Sequence, residues 1–236
     1  MILSLAGLNI EVINRYSYIE KIAVGYTVET DKVDFSVSVT DEDILMEAEA
    51  TEEKFSNGYL ESIAIYRKIA ERLPEYGAVV FHGVVLCDKD EAYIVAAKSG
   101  TGKTTHARLW LKEFGDDVFI LNGDKPIIRI IDGTPYACGT PWKGKEGYGV
   151  PGMKKLSAIA MIVRDKDPAV EPLGIGEASL ALASQTYIPE SEKCAPLALR
   201  VISGLIKTLN FYKIRANMDS LSARVARDGL KSKIKA

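Results

Sequence analysis

The chain has 236 residues, of which 47% are hydrophobic and 26% charged, and its formal net charge is −2. This length suits one domain, or one domain with a smaller accessory layer, and the composition is that of an ordinary globular protein. The small net charge supplies no basic field, so neither a nucleic-acid partner nor a membrane partner is expected.

The three cysteines, Cys87, Cys138 and Cys194, lie far apart and form no Cys-x-x-Cys pair. Buried free thiols are therefore predicted rather than a disulfide or a metal site. No apolar run in the sequence approaches the roughly 18 residues needed to cross a bilayer. The amino terminus carries no basic leader, and we expect a cytoplasmic protein.

Residues 1–76 are predicted to form a strand-rich layer with one helix, packed on a nucleotide-binding core formed by residues 77–236. The first 40 residues read as strands. Residues 33–39 alternate between apolar and polar side chains, which is typical of a strand with one buried and one solvated face.

An acidic stretch over residues 41–53 is predicted to be a solvated surface. A helix is predicted over residues 59–73, because apolar side chains recur there at helical spacing, and Pro74 is expected to end it.

Residues 78–87 read as one apolar strand and residues 92–96 as the next, with Asp88-Lys89-Asp90-Glu91 between them. A link this short permits only an antiparallel hairpin, because a parallel crossover requires about a dozen residues or more. This hairpin distinguishes the chain from the common nucleotide-binding folds, in which a strand–helix–strand crossover is the repeating unit.

Residues 97–104, Ala-Lys-Ser-Gly-Thr-Gly-Lys-Thr, follow the second strand and precede a predicted helix over residues 104–114. This spacing is that of a phosphate-binding loop, with Ala97 in the place of the usual first glycine. The glycines let backbone amides point at a polyphosphate, the helix N-terminus adds partial positive charge, and Lys103 adds a cation. The residues expected to contact a nucleotide are Lys98, Ser99, Gly100, Thr101, Gly102, Lys103, Thr104 and Thr105. A glycine-rich turn without function is the alternative.

Continuing the hairpin pairing from Cys87 opposite Ala92 places His82 beside Ala97, the first residue of the loop. A lone histidine on a strand is usually structural, but this placement favours a functional role for His82. His106 lacks such a placement and is predicted to be a helix-surface or packing residue.

After a turn at residues 115–117, a strand is predicted over residues 118–121, and it ends in Asn122-Gly123-Asp124. An acidic residue just past a buried strand, downstream of a phosphate-binding loop, commonly holds Mg²⁺ or its water. Asp124 is therefore a candidate catalytic and metal-binding residue, with the Thr104 hydroxyl as a second metal ligand. The alternative is that Asp124 caps a turn, since Asn-Gly-Asp favours turns.

Two short strands are predicted over residues 127–131 and 136–138, followed by a loop over residues 139–152 with five glycines and two prolines. Long irregular loops in compact domains are often functional. We predict a mobile lid that offers Lys143 or Lys145 to a nucleotide or phosphoacceptor. An ordinary surface loop is the alternative.

The last third of the chain is predicted to contain a buried strand, three helices and one further strand. In chain order these elements are strand 156–163, helix 177–186, helix 196–209, strand 211–216 and helix 219–230.

The run Phe81-His82-Gly83-Val84-Val85-Leu86, the hairpin, and the run from Ser99 to Thr105 together resemble the HPr kinase/phosphorylase family. The loop is also similar to that of ATP-dependent phosphoenolpyruvate carboxykinase. The similarity covers about residues 79–131. It implies an α/β fold of the carboxykinase-like phosphate-loop type, with a mixed, largely antiparallel sheet flanked by helices.

The resemblance also implies roles for single residues. His82 matches the histidine of the family's His-Gly element, and Gly100, Gly102, Lys103 and Thr104 match its loop. Asp124 matches one member of the family's Asp-Asp pair. This pair is reduced here to Asp124-Lys125, and the family's Glu-Arg-Gly element is absent from the sequence, so reverse phosphorolysis of a phosphoprotein is not expected.

The sequence thus predicts an ATP-dependent kinase that uses Mg²⁺ and transfers the γ-phosphate to a hydroxyl of a protein, a peptide or a small molecule. His82, Lys103 and Asp124 are the predicted catalytic residues, with Asp124 or His82 taking the acceptor proton. One alternative is a non-catalytic nucleotide-binding regulator, favoured by the missing second aspartate. A small carboxykinase-like enzyme is a weaker alternative, because that chemistry requires further metal-binding residues. A homo-oligomer is left open.

Overall fold

The computed structural model describes residues 1–97 and 100–232. Within these ranges the chain forms a three-stranded sheet and a nine-stranded sheet. The smaller sheet has the order β1-β2-β3, and these strands are β1 (Ile2–Leu5), β2 (Leu8–Ile13) and β3 (Phe35–Ser38). The helices that accompany it are α1 (Tyr18–Ile22), α2 (Asp41–Glu49), α3 (Asn57–Arg72) and a 3₁₀ turn (Leu73–Tyr76).

The larger sheet is formed by the strands β4 (Ala78–Val80), β5 (Val84–Asp88), β6 (Glu91–Ala96), β7 (Val118–Asn122), β8 (Ile127–Ile131), β9 (Thr134–Cys138), β10 (Met153–Arg164), β11 (Ala169–Pro172) and β12 (Asn210–Ala216). Its helices are α4 (Lys103–Phe114), α5 (Ile175–Gln185), α6 (Cys194–Thr208) and α7 (Ser220–Lys231), with a 3₁₀ turn at Gly115–Asp117.

The strand β10 is the centre of the larger sheet. It pairs in parallel with β6 on one side and with β12 on the other, while its first residues pair antiparallel with β9. The other pairings within this sheet are antiparallel. The prediction of an α/β protein with a mixed, largely antiparallel sheet flanked by helices is confirmed at this level.

Alternating side chains of the hairpin strands pack on opposite faces of the sheet, as the period of a strand requires. Val84 and Leu86 face the apolar cluster beneath α4 and α7, whereas Val85 and Cys87 face the cluster beneath α5 and α6. Because both faces are covered, β6 is buried along nearly its whole length.

A third apolar cluster joins the smaller sheet to the larger one. It contains side chains of β1, β2 and α3 together with Ala78, Val80, Ile127, Cys138 and Trp142. The elements of residues 1–76 therefore pack directly on the larger sheet.

The structure corrects the prediction for the N-terminal layer, which contains three α-helices rather than one. Residues 18–22 are helical within a stretch predicted to be strands, and the acidic stretch begins with α2. A capping box explains α2: the Thr40 hydroxyl accepts from the Asp43 amide at 3.3 Å, and the Asp43 carboxylate accepts from the Thr40 amide at 2.9 Å. Acidic side chains in a first helical turn also oppose the helix dipole favourably.

The strand predicted over residues 78–87 is wrong as a single element, because it is interrupted at Phe81, His82 and Gly83. The amide of Phe81 donates to Pro126 O, that of His82 to Gln185 O and that of Gly83 to Asp124 O. These partners lie outside the hairpin, so the backbone leaves the ladder between β4 and β5. The regular ladder ends at Val84 opposite Val95, so the predicted pairing of His82 with Ala97 does not form.

The hairpin itself is confirmed. Cys87 lies opposite Ala92 and Asp88 opposite Glu91, so only Lys89 and Asp90 form the turn. Lys89 adopts a φ of 57°, as the first position of a tight hairpin turn requires.

The other predicted helices and strands appear within a few residues of their expected bounds, whereas β11 was not predicted. The four half-buried residues of β11 have no clear hydrophobic pattern of their own, so the sequence does not predict a strand there. Only their pairing with β12 in the folded protein identifies them as one. The three cysteines are free and buried, as predicted. None of the helices described is long and apolar enough to cross a bilayer.

Candidate functional site

The glycine-rich loop that the sequence predicts to bind phosphate lies between the carboxyl end of β6 and the start of α4. Its predicted contacts Lys98 and Ser99 fall outside the described residues. Gly100 and Gly102 have φ values of 76° and 117°, in the left-handed region where glycine is favoured. The first hydrogen bond of α4 is donated by the amide of His106 to Gly102 O, at 2.9 Å. The amides that precede it at the helix N-terminus have no partner within the helix.

Arg164, at the end of β10, binds the carbonyl side of this loop. Its guanidinium donates to Gly100 O at 2.6 Å and to Thr101 O at 3.1 Å. The carbonyls of Gly100 and Thr101 are thereby both paired with one side chain. Arg164 could not be identified from the sequence, because it lies more than sixty residues away from the loop.

Asp124 lies in a turn that is stabilised by hydrogen bonds of the Asn122 side chain. The Asn122 carbonyl oxygen accepts from the Asp124 amide at 2.9 Å, and its amide group donates to Thr140 Oγ1 at 2.9 Å. Asn122 is completely buried. The turn-capping group is therefore Asn122, and the Asp124 carboxylate is not used for that purpose.

The carbonyl of Lys125 is held by two further hydroxyls. Tyr66 Oη donates to it at 2.7 Å and Thr140 Oγ1 at 2.8 Å. Because Tyr66 belongs to α3, the N-terminal layer helps to hold the turn that carries Asp124.

The Asp124 carboxylate lies between two basic side chains. Its Oδ1 is 3.4 Å from His82 Nε2, and its Oδ2 is 3.4 Å from Lys125 Nζ. Burial alone would raise the pKa of Asp124, but the hydrogen bond from His82 and the charge of Lys125 outweigh it and lower the pKa. Asp124 is therefore an ionised carboxylate at neutral pH.

Lys103, the lysine of the loop, lies near the same carboxylate. Its Nζ donates to Ala97 O at 3.0 Å. Burial lowers the pKa of Lys103, the charge of Asp124 opposes this shift, and the charge of Lys125 adds to it. The structure thus brings together His82, Lys103 and Asp124, and it adds Lys125. In the sequence Lys125 stands out only because it occupies the place of the second aspartate of the family's pair.

Thr101, Thr104 and Thr105 are half-buried in the loop and the first turn of α4. His106 is buried, and its Nε2 accepts from Trp110 Nε1 at 3.1 Å. His106 is a packing residue in this contact, one of the two roles predicted for it.

The first half of the loop predicted to be a mobile lid packs against the N-terminal layer. Trp142 is buried, and Lys143 Nζ lies 5.6 Å from the ring centroid of Tyr26, toward the N-terminal layer. Lys145 is exposed. The loop nevertheless covers Asp124, because a Cβ added to Gly144 would lie 2.9 Å from Asp124 Cβ. Glu146 pairs with Arg108 of α4 and connects the loop to the helix.

The residues present fit Mg²⁺ only in combination with a polyphosphate. No group of three or more acidic, histidine or cysteine side chains that could hold a metal occurs among the residues the structure describes. Mg²⁺ is commonly bound by one or two carboxylates together with phosphate oxygens and waters. Asp124 and Thr104 suit that type of site.

No family model and no curated protein matches the sequence. Among solved structures, the chain is similar to the HPr(Ser) kinase/phosphatase from Coxiella burnetii, with 9% identity and a TM-score of 0.40. The match covers 65% of this chain and 97% of the other.

Proposed function

We propose that this protein is an ATP-dependent phosphotransferase that moves the γ-phosphate to a hydroxyl group. One observation carries the proposal: Lys103, Asp124, His82 and Lys125 converge beside a helix N-terminus that follows a glycine-rich turn. A cation and a helix N-terminus bind phosphate. An ionised carboxylate beside a histidine orients that histidine to take the proton of a hydroxyl nucleophile.

In the proposed reaction the acceptor oxygen attacks the γ-phosphorus and the bond to the ADP oxygen breaks. Lys103 and the loop amides hold the β- and γ-phosphates. His82 directs Nε2 at Asp124, so its Nδ1 is the atom that would receive the hydroxyl proton. Asp124 orients His82, and Lys125 adds positive charge beside the transferred phosphate.

Mg²⁺, when bound with ATP, would neutralise charge on the phosphate oxygens. Asp124 and Thr104 are the residues that would hold it. Most of the rate acceleration would come from positioning and charge neutralisation, as is usual in phosphoryl transfer.

A nucleotide-binding regulator without turnover is the second candidate, and the environment of Asp124 favours it. This carboxylate is already engaged by His82 and Lys125, and no second carboxylate contact is seen beside it in the described part of the chain. A protein of this kind would bind ATP through the same loop and release little ADP.

The experiment measures ADP formation and the ATP dissociation constant, with Mg²⁺ present and with a panel of peptide and small-molecule hydroxyl acceptors. Asp124→Asn and Lys103→Met are compared with Asp116→Asn, which changes an exposed carboxylate in a turn. We expect turnover to fall at least about 100-fold in both site variants. Asp116→Asn should stay within about twofold of the unchanged protein.

Tight ATP binding without acceptor-dependent ADP formation would establish the regulator instead. If Asp124→Asn changed neither turnover nor ATP affinity, the assignment of this site would be wrong.

A further inference from the structure

A cavity of about 530 Å³ lies next to the phosphate-binding loop and the first turn of α4. Its wall includes Gly102 and His106 of the loop and α4, Arg164 at the end of β10 and Lys166 after it, and Asn217 and Met218 after β12. The volume falls within the roughly 300–1,000 Å³ of small-molecule sites.

The topology explains why these segments meet. The strands β6, β10 and β12 are neighbours and run in parallel, so their carboxyl ends lie at the same edge of the sheet. The phosphate-binding loop follows β6, and the cavity residues follow β10 and β12. Ligands of α/β sheets bind at this edge.

The cavity wall is held together by hydrogen bonds. The Asn217 amide group donates to Lys166 O at 2.8 Å, and its carbonyl oxygen accepts from the Asp219 amide at 2.9 Å and from Ser222 Oγ at 2.7 Å. Asn217 thereby connects the segments after β10 and β12. The cavity is formed before any ligand enters.

His106, a residue of the wall, has one polar atom without a hydrogen-bond partner in the part of the chain that the structure describes. His106 is 2% exposed, and its Nδ1 is buried without a hydrogen-bond partner among the described residues. Nε2 accepts from the indole N–H of Trp110, which can only donate, so Nε2 carries no proton. The proton of the neutral ring must therefore lie on Nδ1.

The remaining surface suits a flat, largely apolar ring. Ile162 and Ala216 are buried apolar side chains in the wall, and Met218 is 81% exposed at the rim. The guanidinium of Arg164 is fixed by the two loop carbonyls, and a fixed guanidinium plane can stack on an aromatic ring.

We propose that this cavity binds the base of a purine nucleoside triphosphate and that His106 reads it, donating Nδ1–H to an acceptor atom of the purine ring. The inference rests on the proposed function, since it requires the phosphates of the same molecule to lie on residues 100–104. Trp110 is the positioning residue, because its indole N–H sets the tautomer of His106.

The test compares dissociation constants of ATP and of inorganic tripolyphosphate, both with Mg²⁺, for the unchanged protein and for His106→Leu. Lys112→Gln is the matched control, an exposed change on the same helix. We expect ATP to bind at least tenfold more tightly than tripolyphosphate, and His106→Leu to reduce this ratio about tenfold without changing tripolyphosphate binding. Lys112→Gln should leave the ratio unchanged.

A second measurement needs no variant. The unchanged protein is titrated with CTP, UTP and the 1-deaza, 3-deaza and 7-deaza analogues of ATP. We expect both pyrimidine nucleotides to bind at least tenfold more weakly than ATP. One of the three deaza analogues, the one lacking the acceptor that His106 contacts, should bind about tenfold more weakly than ATP.

The outcomes separate the two proposals. If neither ATP nor tripolyphosphate binds, the proposed function fails. If both bind equally well, or if all three deaza analogues bind as tightly as ATP, the phosphate site stands and the role of His106 is overturned.

Discussion

Tyr66 and Trp142 stack with their ring centroids 3.9 Å apart and their planes within 8° of parallel. Tyr66 belongs to α3 of the N-terminal layer, whereas Trp142 belongs to the glycine-rich loop over Asp124. The indole N–H of Trp142 also donates to Ser62 O of α3 at 3.0 Å. The N-terminal layer thus holds the first half of this loop in place.

Replacing Trp142 by leucine should destabilise the protein, because a buried ring and a hydrogen bond are lost together. We expect the free energy of unfolding to fall by about 3 kcal/mol, measured by urea denaturation. Val150→Ala, in an exposed part of the same loop, should change it by less than about 0.5 kcal/mol. Equal effects of the two substitutions would show that the stacking does not anchor the loop.

Gly144 and Gly147 form a matched pair for testing the position of Asp124. Both have positive φ values, 73° and 69°, so an alanine costs similar backbone strain at either position. Only at Gly144 would the new Cβ meet Asp124, at 2.9 Å from its Cβ, whereas the Cβ at Gly147 would meet nothing within 4 Å.

We expect both Gly144→Ala and Gly147→Ala to lower the melting temperature through backbone strain, and Gly144→Ala to lower it further because Asp124 must shift. Turnover of ATP should fall at least about tenfold in Gly144→Ala and remain near normal in Gly147→Ala, because small displacements of a catalytic group are costly. Similar turnover in both variants would contradict a catalytic role for the position of Asp124.

The elements near the phosphate-binding loop could be predicted because their signals are local. The hairpin register follows from the short link between Cys87 and Ala92, whereas the phosphate-binding role of the glycine-rich loop stays a prediction. The interruption at His82 could not be predicted, since the amides of residues 81–83 pair with Pro126, Gln185 and Asp124, which are distant in sequence.

The same distinction applies to the site. Asp124 follows a clear strand, and its position past that strand was a usable signal. Lys125 as a partner and Arg164 as a support depend on contacts that only the folded sheet creates. The sequence does show His106 and Trp110 four residues apart on a predicted helix, a spacing at which their side chains can meet. That Nδ1 of His106 lacks a hydrogen-bond partner within the described ranges follows only from its burial beneath the ends of β10 and β12 in the folded protein.

A buried ion pair connects the hairpin to α7. The carboxylate of Asp88 is completely buried and accepts from Arg227 Nε at 2.6 Å and from Lys231 Nζ at 2.7 Å. Burial would raise the pKa of Asp88, but the hydrogen bonds from Arg227 and Lys231 lower it. Removing one partner of such a pair leaves a charge poorly compensated.

Arg227→Met should therefore lower the free energy of unfolding by about 3 kcal/mol in urea denaturation. Asp117→Asn is the control, because Asp117 is an exposed partner 3.7 Å from the same guanidinium and should cost less than about 0.5 kcal/mol. Combining Arg227→Met with Asp88→Asn should cost less than the sum of the two single changes.

The stability of the protein should also depend on pH through His106. Burial lowers the pKa of His106 to about 4 in the folded protein, whereas an unfolded histidine has a pKa of about 6.5. Between these values the unfolded chain binds more protons, so stability is fully present above pH 6.5 and is lost as the pH falls toward 4.

We expect the free energy of unfolding to fall by about 2–3 kcal/mol between pH 7.5 and 4.5 from this group. His106→Leu should remove that part of the pH dependence, as measured by urea denaturation at each pH. Asp88 and Asp124 do not account for it, because their lowered pKa values move their contribution to still lower pH. An unchanged slope in the variant would contradict the assignment.

The parallel arrangement of β6, β10 and β12 has a consequence during translation. The strand before the phosphate-binding loop ends at Ala96, its parallel partner pairs with it as far as Met161, and that partner pairs with β12 as far as Ala216. Contacts this distant in sequence form slowly. A nascent chain would therefore display its glycine-rich loop long before the surrounding edge of the sheet exists. Binding of nucleotide would then report completion of the domain rather than synthesis of the loop.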